Sequence, residues 1–281
     1  MYIIFTLTIT FVIVNIIVIW TSLKFIKINH HLVVFNNLPS NLQDLKILHI
    51  SDLHNRSKTK KTLDIWPYIH NLDFDIAFIT GDIVVNKANQ IDPHKKDLLW
   101  LSKKVPTFYI EGNHDADHHS YLKIFMKETG ITFLYNDIIT INIKNTKVDI
   151  VGTKDYLTLL KTNFVGFKNL FERVNNSKHF NIVLTHQPQL FDNIKNENVN
   201  LVLSGHTHGG QVRLPFLPTL YAPCQGILPK YGSGFYYYKQ AILFITKGIG
   251  ATSFPIRYFN RPCIEILKLS SNIINLKRLK S

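Results

Sequence analysis

The chain has 281 residues, 46% of them apolar and 18% charged, which suits a globular protein with a sizeable core and excludes a disordered or low-complexity chain. A formal net charge of +13 favours anionic partners such as phosphorylated substrates, nucleic acid or an acidic membrane surface, although a solvated Lys- and Asn-rich surface gives the same balance. The only cysteines are Cys224 and Cys263, and with no CxxC there is no thiolate zinc site; one disulfide is allowed but nothing asks for it.

Met1 to Leu23 carries no charged side chain and is rich in Ile, Val, Phe and Thr. That length matches the ~20 apolar residues of one transmembrane helix. No basic n-region, twin-Arg or AxA cleavage site marks it as a cleaved signal. Lys24 and Lys27 follow the span and no cation precedes it, so the positive-inside rule favours a single-pass protein with a cytoplasmic body. Asn15 within the span reads as a helix-contact residue or as one tolerated polar residue.

Residues 24–43 read as a linker and an opening strand, HLVVF, and 44–281 as the main domain. LKILHI (45–50) predicts a strand, Lys58 to Asn71 a helix made irregular by Pro67, and FDIAFIT (74–80) the next strand. Asp92-Pro93 opens a helix to about Lys104, VPTFYIE (105–111) is a strand, and Tyr121 to Thr129 is a helix stopped by Gly130. Between Ile131 and Val151 the pattern becomes strands with short turns, which predicts antiparallel pairing and a change of sheet. Asn163 to Asn176 is a weak helix, FNIVL (180–184) a strand, Pro188 to Asn196 a short helix, and VNLVL (199–203) a buried strand. Two further strands follow, Ala241 to Ile245 and Cys263 to Lys268.

The polar motifs sit where these strands end. Ser51-Asp52-Leu53-His54, Gly81-Asp82, Gly112-Asn113-His114-Asp115, Thr185-His186 and Gly205-His206-Thr207-His208 each begin within two residues of an apolar strand. Thirty residues separate Asp52 from Asp82 and thirty-one separate Asp82 from Asn113, each the length of a βαβ unit. Parallel strands with helical crossovers bring their carboxyl ends to one ligand-binding edge. An isolated HxH is as often an ordinary turn; the repetition at every edge argues against that.

That edge receives Asp52, His54, Asp82, Asn113, His186, His206 and His208. Two carboxylates, one amide oxygen and four imidazoles exceed one ion's needs and suit two ions if Asp82 bridges. A mixed N/O set without thiolate fits two divalent transition-metal ions, Mn²⁺ first, with Fe or Zn²⁺ as alternatives, better than Mg²⁺ or Ca²⁺. With a bridging hydroxide, such a site carries a residual charge of about +1 and suits a phosphoryl group. The hydroxide is then the nucleophile. His114, next to a ligand, can act as general acid or stabilise the phosphoryl oxygens. Asp115 either orients the His114 imidazole, the preferred reading, or caps a helix. Arg213, Arg257 and Arg261 are candidate phosphate or uridine contacts, while His118 and His119 read as a solvated helix start and His49 as a satisfied core residue.

SDLH, TGDIV, EGNHD, LTHQP and SGHTHGG, in that order over about Leu45 to Gln211, resemble the calcineurin-like metallophosphoesterases. The resemblance implies an α/β fold, a four-layer αββα sandwich of two facing mixed sheets, here preceded by one transmembrane helix. It also implies that Asp52, His54, Asp82 and His208 hold one metal, that Asp82, Asn113, His186 and His206 hold the other, and that His114 is catalytic. GHTHGGQ, the amino-terminal span and the segment GIGATSFPIRYFNRPCIEIL (248–267) are similar to a membrane-associated bacterial subgroup, some members of which hydrolyse the pyrophosphate of UDP-2,3-diacylglucosamine. Exported members carry a twin-Arg signal, which this chain lacks. The resulting expectation is a membrane-anchored phosphodiesterase or pyrophosphatase acting on a lipid-linked or nucleotide-linked precursor, with the apolar segment Leu214 to Tyr238 walling the site. A phosphomonoesterase or protein phosphatase is the alternative. A metal-free scaffold is disfavoured because every motif is complete. A nuclease, or any specific nucleic-acid partner, is disfavoured because the cations are spread over helices.

Overall fold

The computed structural model describes residues 2–54, 64–210, 212–214, 217–250 and 257–271. The chain opens with α1 (Tyr2–Lys24) and β1 (Lys27–Val34), then runs β2 (Lys46–Ile50), α2 (Trp66–His70), β3 (Ile76–Thr80), α3 (Lys95–Lys104), β4 (Thr107–Ile110), α4 (His119–Glu128) and β5 (Thr132–Phe133). It continues through β6 (Asp137–Ile143), β7 (Thr146–Gly152), α5 (Tyr156–Lys161), α6 (Phe167–Asn176), β8 (Phe180–Leu184), α7 (Phe191–Ile194) and β9 (Leu201–Ser204). β10 (Tyr221–Ala222), β11 (Gly226–Ile227), β12 (Gly234–Tyr238), β13 (Ala241–Ile245) and β14 (Cys263–Ser270) complete it.

Two six-stranded mixed sheets result, ordered β1-β14-β2-β3-β4-β5 and β12-β13-β9-β8-β7-β6. Strands β2 to β5 are mutually parallel, as are β7, β8, β9 and β13. The sheet changes between β5 and β6, and β6 pairs antiparallel with β7.

Side-chain alternation builds the layers. Ile182, Leu184, Leu201 and Leu203 meet Ile47, Phe78, Phe108 and Leu267 between the sheets. Val183 and Val202, at the alternate positions, pack outward with Phe167, Leu170, Phe171 and Val174 of α6. That i, i+3, i+4, i+7 spacing is the apolar stripe of an amphipathic helix. On the other side, Leu48, Ala77 and Ile79 pack against Trp66, Leu98, Leu101 and Leu122 of α2, α3 and α4. The architecture is therefore the expected helix-sheet-sheet-helix sandwich, with one apolar helix ahead of it.

Several elements depart from the sequence expectation. α2 begins only at Trp66; the part of the expected helix from Lys58 to Leu63 lies outside the described residues. α3 begins at Lys95, because Ala88–His94 forms a 3-10 helix. There the Gln90 side-chain oxygen takes the amides of Val85 and Asn86 at 2.8 and 3.1 Å. α5 was not anticipated; the Asp155 carboxylate caps it by accepting from the Thr158 amide at 3.1 Å. β12 extends the second sheet with the aromatic run of Tyr236 to Tyr238. Both cysteines are free.

A polar network crosses the inter-sheet core. Buried Glu265 on β14 accepts from Asn29 at 3.0 Å and from Thr246 at 3.1 Å, and pairs with His31 at 2.8 Å. His49 is fully buried nearby, with Nε2 2.8 Å from the Thr80 hydroxyl. Burial pushes the His49 imidazole down to about 4 from 6.5. Between those values the unfolded chain binds a proton that the native chain does not, so stability falls as pH drops through this window. His49→Gln should remove up to about 1.4 kcal/mol per pH unit of that slope. Urea unfolding of both proteins at pH 7, 6 and 5 checks this, and parallel slopes would rule it out.

Candidate metal centre

Both sheets deliver their carboxyl ends to one point. Asp52 and His54 follow β2, Asp82 follows β3, Asn113 and His114 follow β4, His186 follows β8, and His206 and His208 follow β9. Asp52, His54, Asp82, His206 and His208 all have positive φ, between 43° and 69°. Left-handed backbone is uncommon outside glycine, and at these strand ends it turns side chains back across the edge. Two glycines permit the close approach. A Cβ at Gly205 would collide with the Asp52 carboxylate and the Ser51 hydroxyl, and one at Gly112 with the Asp82 carboxylate.

The ligand atoms converge in overlapping groups. Those of Asp52, His54 and His208 lie within 4.8 Å of one another, as do those of Asp82, His186 and His206 and those of His54, Asp82 and His114. Asp82 Oδ2 is 3.2 Å from His186 Nε2 and 3.5 Å from His54 Nε2, so this carboxylate reaches both sides. His208 Nε2 stands 3.4 Å from Asp52 Oδ1. Asn113 Oδ1 is buried and, among the described residues, has no hydrogen-bond partner.

The outer contacts orient the rings. His186 Nδ1 donates to the Thr80 carbonyl at 2.7 Å, which turns Nε2 toward Asp82 and, at 3.2 Å, His206 Nδ1. His208 Nδ1 faces the Gly250 carbonyl at 3.4 Å, and its Nε2 faces His54 Nε2 at 3.1 Å. The ligand atoms of buried imidazoles and carboxylates thus point at one another, an arrangement that a cation stabilises. Burial, against the pull of Asp82, holds His54 down to about 4; burial together with the His186 charge holds His206 down to about 3. His186 goes the other way, up to about 10, because Asp82 and Asp52 outweigh its burial. Burial lifts Asp52 to about 6, whereas Asp82 stays below the usual carboxylate range because His186 overcomes its burial. The donor set is oxygen and imidazole without thiolate, so these residues fit divalent transition-metal ions.

His114 is half-buried at the rim, its ring centroid 5.2 Å from that of His54, and its amide donates to Asp82 Oδ1 at 2.9 Å. Asp115 differs from its expected orienting role. Its Oδ1 accepts from the amides of Ile83 and Val84, and its Oδ2 from the Gly112 amide and the Tyr109 hydroxyl, all at 2.9–3.1 Å. It makes no side-chain cap at the following 3-10 turn either. Asp115 therefore clamps the Asp82 and Asn113 loops together rather than the His114 ring.

Arg257 also departs from expectation. It is fully buried and donates to the carbonyls of Gly250, Lys247 and Gly248, with Nη2 3.5 Å from His208 Nδ1. It acts as a loop staple behind a candidate ligand rather than as the phosphate or uridine contact the sequence suggests. Arg213 is half-buried and bonds the Ser233 hydroxyl at 2.5 Å. His119 pairs with buried Glu111 at 2.6 Å rather than standing in solvent. From the 214–238 segment, the Gly232 carbonyl accepts from Thr207 at 2.5 Å, and Thr219 packs on Gly210. Ile227 and Leu228 of this segment are 82% and 67% exposed.

Residues 45–210 match the family model described as calcineurin-like phosphoesterase. The chain is 28% identical over 233 residues to the uncharacterized metallophosphoesterase YkoQ of Bacillus subtilis, covering 81% of this chain and 84% of that one. It is 29% identical over 260 residues to the uncharacterized metallophosphoesterase YkuE of the same organism, covering 88% and 86%. It is 28% identical over 250 residues to the phosphodiesterase YaeI of Escherichia coli, covering 86% and 87%.

Asp82 serves both halves of the cluster, so Asp82→Asn should lower bound transition metal more than His208→Ala or Asn113→Ala does. Elemental analysis of the purified variants reads this directly. Equal or smaller loss from Asp82→Asn would place the shared ligand elsewhere.

Proposed function

The chain belongs to the calcineurin-like phosphoesterase family, and from that premise we propose that it is a membrane-anchored hydrolase of phosphodiester or pyrophosphate bonds. Its substrate is a lipid-linked or nucleotide-linked precursor, with UDP-2,3-diacylglucosamine the leading candidate. The observation that carries the reading is the Asp82 carboxylate, set between His54 and His186.

Asp52, His54, Asp82 and His208 would hold one divalent ion and Asp82, Asn113, His186 and His206 a second, with Mn²⁺ the first choice and Fe or Zn²⁺ the alternatives. Such ions supply Lewis acidity at a phosphoryl group and lower the pKa of water. The chain's own residues do the rest. His114 stands at the rim, held to Asp82 through its amide, where its ring can give a proton to the departing oxygen. Asp115 and Tyr109 hold the 112–115 loop against 82–84, which keeps His114 in register with the ligands.

Anchoring is supported by α1. Its window Ile4–Ser22 has a mean hydropathy of 2.3 and is not buried by the protein. The cations that follow it, Lys24 and Lys27, support a cytoplasmic body. The acyl part of the substrate is supported by Leu214, Leu217, Tyr221, Ile227 and Leu228, exposed apolar side chains on the segment packed against the 206–210 turn.

Turnover should be compared on UDP-diacylglucosamine, a glycerophosphodiester, bis-p-nitrophenyl phosphate, p-nitrophenyl phosphate and a phosphopeptide. The acylated pyrophosphate should be preferred; a simple monoester or phosphopeptide turned over best would overturn the lipid reading. His114→Ala should keep its metal and lower kcat by ~10²–10⁴. The loss should be smaller with a p-nitrophenol leaving group, which needs little protonation. A reporter fused at Ser281 should read cytoplasm, and an external reading would reverse the orientation.

A further inference from the structure

A cavity of about 450 Å³ lies where α1 meets the body. Thr21 and Ser22 of the last helical turns line it, with Lys27, Lys247 and Arg261 from the body. Among the described residues, none of these three cations meets a carboxylate in an ion pair. Lys247 is half-buried, and burial pulls its ammonium below the usual range. Arg261 lies 5.9 Å from the Phe25 ring, which holds the guanidinium beside the helix.

We propose that this cavity binds the phosphate of an anionic membrane-lipid headgroup, held by Lys27, Lys247 and Arg261. A phosphomonoester carries about −1.5 to −2 charges, which three cations match. The volume falls within the range of ligand sites, ~300–1,000 Å³.

Depth favours a lipid over a free anion. The apolar window ends at Ser22, and Val18, four residues earlier, also lines the cavity. At ~1.5 Å per residue those positions span ~6 Å of helix. The polar zone of each leaflet is similarly thick, since bilayers are ~40–45 Å overall around a ~30 Å core. The body reaches deeper still, because the Tyr258 hydroxyl donates to Asn15 Oδ1 at 2.6 Å, and Phe259 beside it is exposed. The cavity therefore opens at headgroup level, where free phosphate meets no special enrichment and lipid phosphates are abundant.

The inference rests on the anchoring part of the functional reading and not on its chemistry. The test uses the full chain in a neutral detergent, with native mass spectrometry reading bound lipid. Phosphatidic acid should be retained over phosphatidylcholine. Arg261→Gln and Lys27→Gln should each weaken that binding about tenfold, as loss of a charged hydrogen bond does, and Arg261→Lys should recover part of it. Lys27→Gln should hydrolyse bis-p-nitrophenyl phosphate at the wild-type rate. Unchanged lipid binding in both Gln variants would overturn the proposal. So would inorganic phosphate displacing the lipid at equal concentration, which would make the ligand a free anion. Absence of diester hydrolysis by the wild-type chain would sink the catalytic reading alone, and recovery of the chain without membranes would sink the anchoring and this inference with it.

Discussion

The close packing of buried imidazoles and carboxylates at one edge is the constraint on which this structure depends. His186 donates its Nδ1 proton to the Thr80 carbonyl and so aims its Nε2 at the Asp82 carboxylate, where without a cation it holds a proton. His208 Nδ1 lies beside the Gly250 carbonyl and Arg257, and its Nε2 faces His54 and Asp52. So many buried donor atoms in one place leave polar groups that a cation would satisfy. The chain holds five of the seven candidate ligands in left-handed backbone. The positions of Gly112 and Gly205, which admit no Cβ, and the Asp115 clamp follow from the same demand. Parallel strands in two sheets are what allow loops distant in sequence to meet it.

One segment joins this edge to the helix. Asn260 donates to the His208 carbonyl at 2.6 Å, and Arg257 braces the Gly248–Gly250 turn behind the same residue. Tyr258 bridges to Val212, just beyond the metal-bearing turn, and reaches Asn15 of α1. The base of α1 and the candidate ligand His208 are thus tied to the same few residues.

Much of this was legible in the sequence, because strand ends are marked twice, by the close of an apolar run and by the polar residues that follow. Asp52, His54, Asp82, His186, His206 and His208 converge as that pattern suggests, and the change of sheet showed in the turns after Ile131. What was missed depends on contacts remote in sequence. Asp115 adjoins His114 in the chain, yet β3 and β4 pair so that the Ile83 and Val84 amides lie nearer its carboxylate. Arg257 reads as a candidate phosphate or uridine contact, yet its guanidinium donates to carbonyls of its own loop. Asn15 reads from the sequence as a tolerated polar residue in preference to a contact, yet the Tyr258 hydroxyl, 243 positions away, donates to its Oδ1.

The central claim is that Asp82 is shared by two ions. Anomalous diffraction from crystals of the full chain grown with Mn²⁺ tests it most directly. The expected result is two peaks about 3.5–4 Å apart, one on each side of the Asp82 carboxylate. A single peak, or two that do not both contact Asp82, would contradict the account.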